Sequence, residues 1–214
     1  INIAKKLSSK FSKVRICKNN QEIIKNSKII FLAVTPKVGK KILGKLVFNK
    51  NKNIISLIST IKIKELKKLT NSDNICKAIP LPFIENKIGP IIISPKNKIA
   101  YKIFSKLGLV ININDEKKSY QFWSTSSAMA SFYEVYNTTT QWLVKKGIKE
   151  KLATDYVASL FLALSQDAFL KKNSGFKKLV KESQTPKGLN MKVLNELKKR
   201  KFFVNFSKAL DNIN

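Results

Sequence analysis

The chain offers two thiols, Cys17 and Cys76, and no imidazole. Without histidine there is no Ser-His-Asp triad, no histidine general base and no His-liganded metal. The cysteines lie far apart and form no C-x-x-C, so neither a zinc site nor a disulfide framework is indicated. No metal is expected, and a reducing, cytoplasmic setting is the default. What remains for chemistry is hydroxyls, amides and the backbone groups of turns. Three turns stand out, at residues 33–37, 57–61 and 79–83, each following an apolar run of strand length. In a parallel sheet, ligands sit beyond the carboxyl ends of the strands, where such turns lie. A fourth candidate is Thr185-Pro186. Threonine suits a helix N-cap and proline the first helical position, and free N–H groups there can hold a carboxylate. Each of these segments also reads as a plain connection or an ordinary capped helix.

The elements that must carry these turns change character along the chain. The first half alternates. Residues 1–11 read as a helix and 14–17 as a short strand, and residues 20–26 read as a second helix. The runs at 28–34 (KIIFLAV), 53–58 (NIISLI) and 74–79 read as strands buried on both faces. Helical stripes separate them, through Val38, Ile42 and Leu46 and through Ile63, Leu66 and Leu69. Residues 90–94 and 109–113 flank a further helix. Strands alternating with helices predict an α/β fold, a doubly wound parallel sheet. Near Lys117 the pattern turns helical. Residues 119–147 read as one long helix stopped by Gly147, residues 149–172 as a second, and a third starts after Thr185-Pro186. Wide apolar stripes on these helices suit a bundle, either self-contained or shared between subunits. Two domains follow, 1–116 and 117–214.

Charge is the other conspicuous feature. Lys and Arg total 42 against 13 Asp and Glu, a net charge of +29 over 214 residues. Only Arg15 and Arg200 are arginine, which leaves 40 lysines spread along the whole chain. Lys, Ile and Asn are what an AT-rich genome over-produces, and the side chain that reads guanine edges is nearly absent. The excess therefore reads as a solvated surface, with nucleic-acid binding as a weaker alternative. No apolar run reaches the ~18 residues of a membrane span. The chain begins with Ile1 and its first methionine is Met129, so an incomplete N-terminus is expected.

The ordered segments FLAVTP, ISLIST, KAIPLPFIENKIGP, the helix from Phe122 to Gly147 and TPKGLN followed by VLNEL resemble the pyrroline-5-carboxylate reductase family, in a divergent branch. FLAVTP resembles the family's A-V-K-P strand end and TPKGLN its S-P-G-G-T-T turn. The resemblance implies a Rossmann-like dinucleotide domain followed by an all-α dimerisation domain, and reduction of a cyclic imine, pyrroline-5-carboxylate, to proline with NADPH or NADH. It also implies that the first βα unit, with the glycine-rich turn, precedes Ile1. No G-x-G-x-x-G occurs in these residues, where the first glycine is Gly39. Weak dinucleotide binding by residues 1–214 is therefore expected.

Carried over residue by residue, the resemblance places Ala33, Val34, Thr35, Pro36, Ser56, Ser59 and Pro80 at the cofactor. Thr185, Gly188 and Asn190 fall at the substrate, with Thr185 and Asn190 as catalytic candidates. Thr35 stands where the family has Lys, Leu81 where it has Asn, and Lys187, Leu189 and Asn190 replace Gly, Thr and Thr. Ser127-Ala128-Met129-Ala130 replaces S-G-P-A. The expected partners are a small imine substrate and a second copy of the chain, with neither nucleic acid nor membrane. The alternatives are reduction of a related imine, and a non-catalytic assembly protein that has kept the fold.

Overall fold

The computed structural model describes residues 2–213 and divides into two compact units, Ile1–Trp123 and Ser124–Asn214. The first unit runs α1 (Asn2–Lys10), α2 (Asn20–Asn26), β1 (Ile29–Leu32), α3 (Pro36–Leu43), β2 (Asn53–Ser56), α4 (Ile63–Thr70), β3 (Ile75–Ile79), β4 (Pro90–Ser94), α5 (Lys98–Phe104), β5 (Leu109–Asn112) and α6 (Glu116–Thr125). The residues expected as a strand at 14–17 have no strand structure. Val14 and Ile16 are exposed, and two valine- or isoleucine-length side chains without a pairing partner cannot order a strand.

The five strands lie in chain order, β1 to β5. Pairings β1–β2, β2–β3 and β4–β5 are parallel, but β3–β4 is antiparallel, so the sheet is mixed rather than wholly parallel. The link between Ile79 and Pro90 explains the reversal. It holds only a 3-10 turn, Pro82–Asn86, and is too short for the crossover a parallel neighbour needs. Alternation along the strands feeds two cores. Ile30, Leu32, Ile54 and Ile75 pack with Leu43, Ile58, Ile61 and Leu66 on one face. Ile55, Cys76, Ala78, Ile91 and Ile93 pack with Ala100 and Phe104 on the other. That is why these strands read as continuous apolar runs.

The second unit holds α7 (Met129–Lys145), α8 (Glu150–Leu170), α9 (Phe176–Glu182), α10 (Leu189–Lys199) and α11 (Phe202–Asp211). The single helix expected over 119–147 is in fact α6, a 3-10 turn at Ser126–Ala128, and α7. The break falls in Ser124-Thr125-Ser126-Ser127, whose hydroxyls compete for helical backbone groups. Ser127 Oγ donates to the Ser124 carbonyl at 2.6 Å. Helix α7 ends where Gly147 takes φ +88, a left-handed stop that glycine adopts without strain. Helices α7 and α8 meet through aromatic rings, with Tyr136 and Phe161 stacked at 4.5 Å. Little else in this unit is enclosed. Ala153 and Val157 are buried, whereas Leu152, Tyr156, Leu162 and Phe169 are each about 60% exposed.

Candidate functional site

Strands β1 and β2 end side by side, with Leu32 paired to Ser56, and the Leu57 N–H donates to the Leu32 carbonyl at 3.0 Å. The turns that follow them are therefore neighbours. Ala33 and Thr35 are exposed and Val34 is half-buried. Thr35 is the N-cap of α3, with Pro36 at the first helical position as expected, and its side chain makes no capping bond. Gly39 is buried. A Cβ there would lie 3.0 Å from Ile58 Cδ1, so the glycine lets α3 close against the β2–α4 turn.

Ser56 is wholly buried, and its Oγ accepts from the Ile58 N–H at 3.2 Å, shaping that turn from beneath. Ser59 is half-buried and offers its carbonyl to the Lys77 ammonium at 2.6 Å. Pro80 follows β3 and is half-buried.

One rung of the sheet is polar. Ser56 pairs with Lys77, and Lys77 with Ser94, on three adjacent strands, and all three are buried. Lys77, 2% exposed, reaches the Ser59 carbonyl and, at 3.2 Å, Glu116 Oε1 of α6. It also sits 4.6 Å from the centre of the Trp123 ring. Glu116 Oε1 accepts the Ile63 N–H at 2.9 Å as well, where α4 begins. Burial pushes the Lys77 ammonium below the usual lysine range, and the Glu116 carboxylate pulls it partly back. Ser119, also buried, donates to the Glu116 carbonyl at 2.7 Å. Ser94 Oγ is buried and makes no hydrogen bond among the described residues.

Lys77 and Glu116 were not among the residues singled out by sequence. Lys77 did leave a signal, a lysine inside the apolar run ICKAI, where a charge needs a partner. Glu116 left none, because the turn it serves lies 53 residues away in the chain.

The substrate candidates lie in the second unit. Residues 185–188 do not start a helix, as had been expected. The Thr185 carbonyl accepts the Gly188 N–H at 2.9 Å, and Lys187 takes φ +61, which closes a turn. Helix α10 begins at Leu189 with Gly188 as N-cap, so Thr185 is not a cap and Pro186 is not at a first helical position. Thr185 and Asn190 are exposed, and Gly188 is half-buried. Asn190 Nδ2 donates to the Ser183 carbonyl at 2.9 Å, folding the turn back on the end of α9.

An α/β sheet unit with paired carboxyl-end turns, followed by an open helical unit, defines the class of fold. Residues 123–214 match the family model for pyrroline-5-carboxylate reductase dimerisation. No curated protein sequence matches the chain. Among solved structures it is similar to a 1-pyrroline-5-carboxylate reductase from Streptococcus pyogenes (TM-score 0.83, 18% identity, 99% of this chain and 82% of that one). It is also similar to a pyrroline carboxylate reductase from Plasmodium falciparum, solved with NADP bound (TM-score 0.80, 21% identity, 92% and 78%). A reductive aminase from Aspergillus terreus, in complex with NADPH and ethyl levulinate, is a more distant likeness (TM-score 0.57, 13% identity, 86% and 68%). At these identities the likenesses establish the fold.

Proposed function

We propose that this protein is an NAD(P)H-dependent imine reductase of the pyrroline-5-carboxylate type, converting pyrroline-5-carboxylate to proline as a cytoplasmic homodimer. The observation that carries the reading is the dimerisation-family match over residues 123–214, on a chain whose whole fold follows pyrroline-5-carboxylate reductases. The turns at the ends of β1 and β2 suit the nicotinamide end of a dinucleotide. They are adjacent, Thr35 is exposed and uncapped, and Gly39 keeps the α3 end close to Ile58. A bound dinucleotide would supply hydride to the imine carbon.

The chain's own residues then have three tasks. Ala33, Val34, Thr35 and Pro36 line the first turn, Ser56 and Ser59 set the second, and Pro80 ends the third. Thr185 and the amides near Gly188 receive the substrate carboxylate. Asn190 orients the imine nitrogen through its amide, which can donate a hydrogen bond but cannot readily give up a proton, so the proton comes through Thr185 or water. A homodimer accounts for the open apolar helices of the second unit. Unpaired Cys17 and Cys76 accord with a reducing compartment.

The test is an assay of the purified full-length protein with pyrroline-5-carboxylate and NADPH, following loss of NADPH absorbance and formation of proline. Proline formation that depends on Thr185 is the expected result. A dimer without turnover would favour the second reading, a non-catalytic assembly protein. One observation favours that reading, namely that Asn190 already uses its amide on Ser183. A related imine as substrate would show as turnover with that imine and none with pyrroline-5-carboxylate.

A further inference from the structure

The buried polar rung calls for an account, because a lysine enclosed in a sheet is costly. Its partners come from three segments that are remote in sequence. The Ser59 carbonyl belongs to the β2–α4 turn, Lys77 to β3, and Glu116 to the first turn of α6. Glu116 returns to the same turn by accepting the Ile63 N–H. Thus the two ends of residues 59–63 are tied to one ion pair. The ring of Trp123 covers the ammonium from α6, a favourable place for a cation removed from water.

We propose that Lys77 is a positioning residue whose ammonium, through Ser59 and Glu116, latches the β2–α4 turn in the one conformation that receives the nicotinamide end of the dinucleotide. The naming of the ligand rests on the function proposed above, whereas the latch itself does not. The latch works only while Lys77 is charged. Glu116 is the charged group that faces it. The other facing groups are Ser56 of β2, the Ser59 carbonyl of the β2–α4 turn, Ser94 of β4 and Trp123 of α6, none of them charged.

Amide hydrogen exchange on the free, full chain reads the latch directly. In Lys77→Met, which keeps the length of the side chain and removes its charge, exchange at the amides of residues 58–63 should accelerate about tenfold or more. The core amides of β1 to β3 should stay within about twofold. In Glu116→Gln the amide oxygen still accepts from Ile63, so the turn should stay protected near neutrality. It should open at lower pH than in the wild type as pH rises, because the anion that helps Lys77 hold its proton is gone. NADPH titration of the full-length protein, followed by its fluorescence, completes the test. The Kd should rise about fivefold or more in Lys77→Met, while the KM for the imine changes less than about twofold.

Unchanged exchange at residues 58–63 would overturn the latch. So would acceleration spread evenly over the sheet, which would make Lys77 a general structural residue. A loosened turn with an unaltered NADPH Kd would overturn the positioning role and leave the latch. Failure of the full-length wild-type protein to bind NADPH or reduce any imine would sink the functional reading and the dinucleotide half with it. The exchange result would still decide the latch.

Discussion

At the scale of the residue, Lys77 and Glu116 are unequal partners. Lys77 is enclosed while Glu116 keeps nearly a third of its side-chain surface in water. Removing the carboxylate strands a charge that cannot rehydrate; removing the ammonium strands one that can. Glu116→Gln should therefore destabilise by about 1–3 kcal/mol at neutral pH, more than Lys77→Met. Urea midpoints of the two variants check the order.

The neighbour of Lys77 on β3 points to the other face. Cys76 is fully buried and its thiol is pushed up to about 12 by desolvation. It should resist a thiol reagent in the native state and react on unfolding. An unfolded thiol ionises near its ordinary 9.0, so the unfolded chain binds fewer protons between 9.0 and about 12, and stability falls as pH rises through that window. Lys77, lowered from 10.5, acts in the opposite sense. As it sheds its proton in the fold first, stability rises. A Cys76→Ala variant should lose the alkaline decline in urea midpoint, whereas Lys77→Met should steepen it.

At the scale of the element, the turn at residues 185–188 holds a lysine where glycine would fit better. Lys187 at φ +61 bears the cost of a side chain in the left-handed region. Lys187→Gly should stabilise by about 0.5 kcal/mol, since relief of that cost exceeds the added freedom of the unfolded glycine. A small upward shift in the thermal midpoint, with the helix signal unchanged, would check it.

The strands and most helices of the first unit were legible because apolar runs and stripes encode burial directly. What the runs could not encode was direction. Strand β4 reads the same whether parallel or antiparallel, and only the short link after Ile79 decides it. The break between α6 and α7 was hidden for another reason. Apolar spacing from Phe122 to Val144 stays helical across it, and only the run of hydroxyls at residues 124–127 marks the interruption. Of the candidate site, the turns after β1 and β2 were readable from their strand ends. The Thr185 turn was located but misread as a helix cap, because the pair Thr-Pro serves equally well at a β-turn.

At the scale of the whole molecule, the apolar surface of the second unit sets the expectation. Helices α8, α10 and α11 present Leu, Val and Phe side chains to water in a single chain, more than a soluble monomer tolerates. Sedimentation at micromolar concentration should show a dimer or larger assembly, and dilution should raise the binding of an apolar dye. A monomer that stays soluble without binding the dye would count against association. Charge bears on a separate question. With lysines dispersed and only two arginines, affinity for duplex DNA should vanish at about 150 mM salt, as read by a gel-shift titration.

The reversed strand has a consequence for how the sheet threads during folding. Because β4 runs against β3, Ser94 comes to lie opposite Lys77 in only one alignment. Sliding β4 by a single position would set Ile93 or Pro95 opposite Lys77 and turn the hydroxyl to the other face. The hydroxyl would then be buried among Ile55, Ala78 and Ala100, and Ile93 would leave that apolar core, so a misaligned pairing loses on both faces of the sheet at once. The serine at the end of β4 thus helps to admit one threading of the chain.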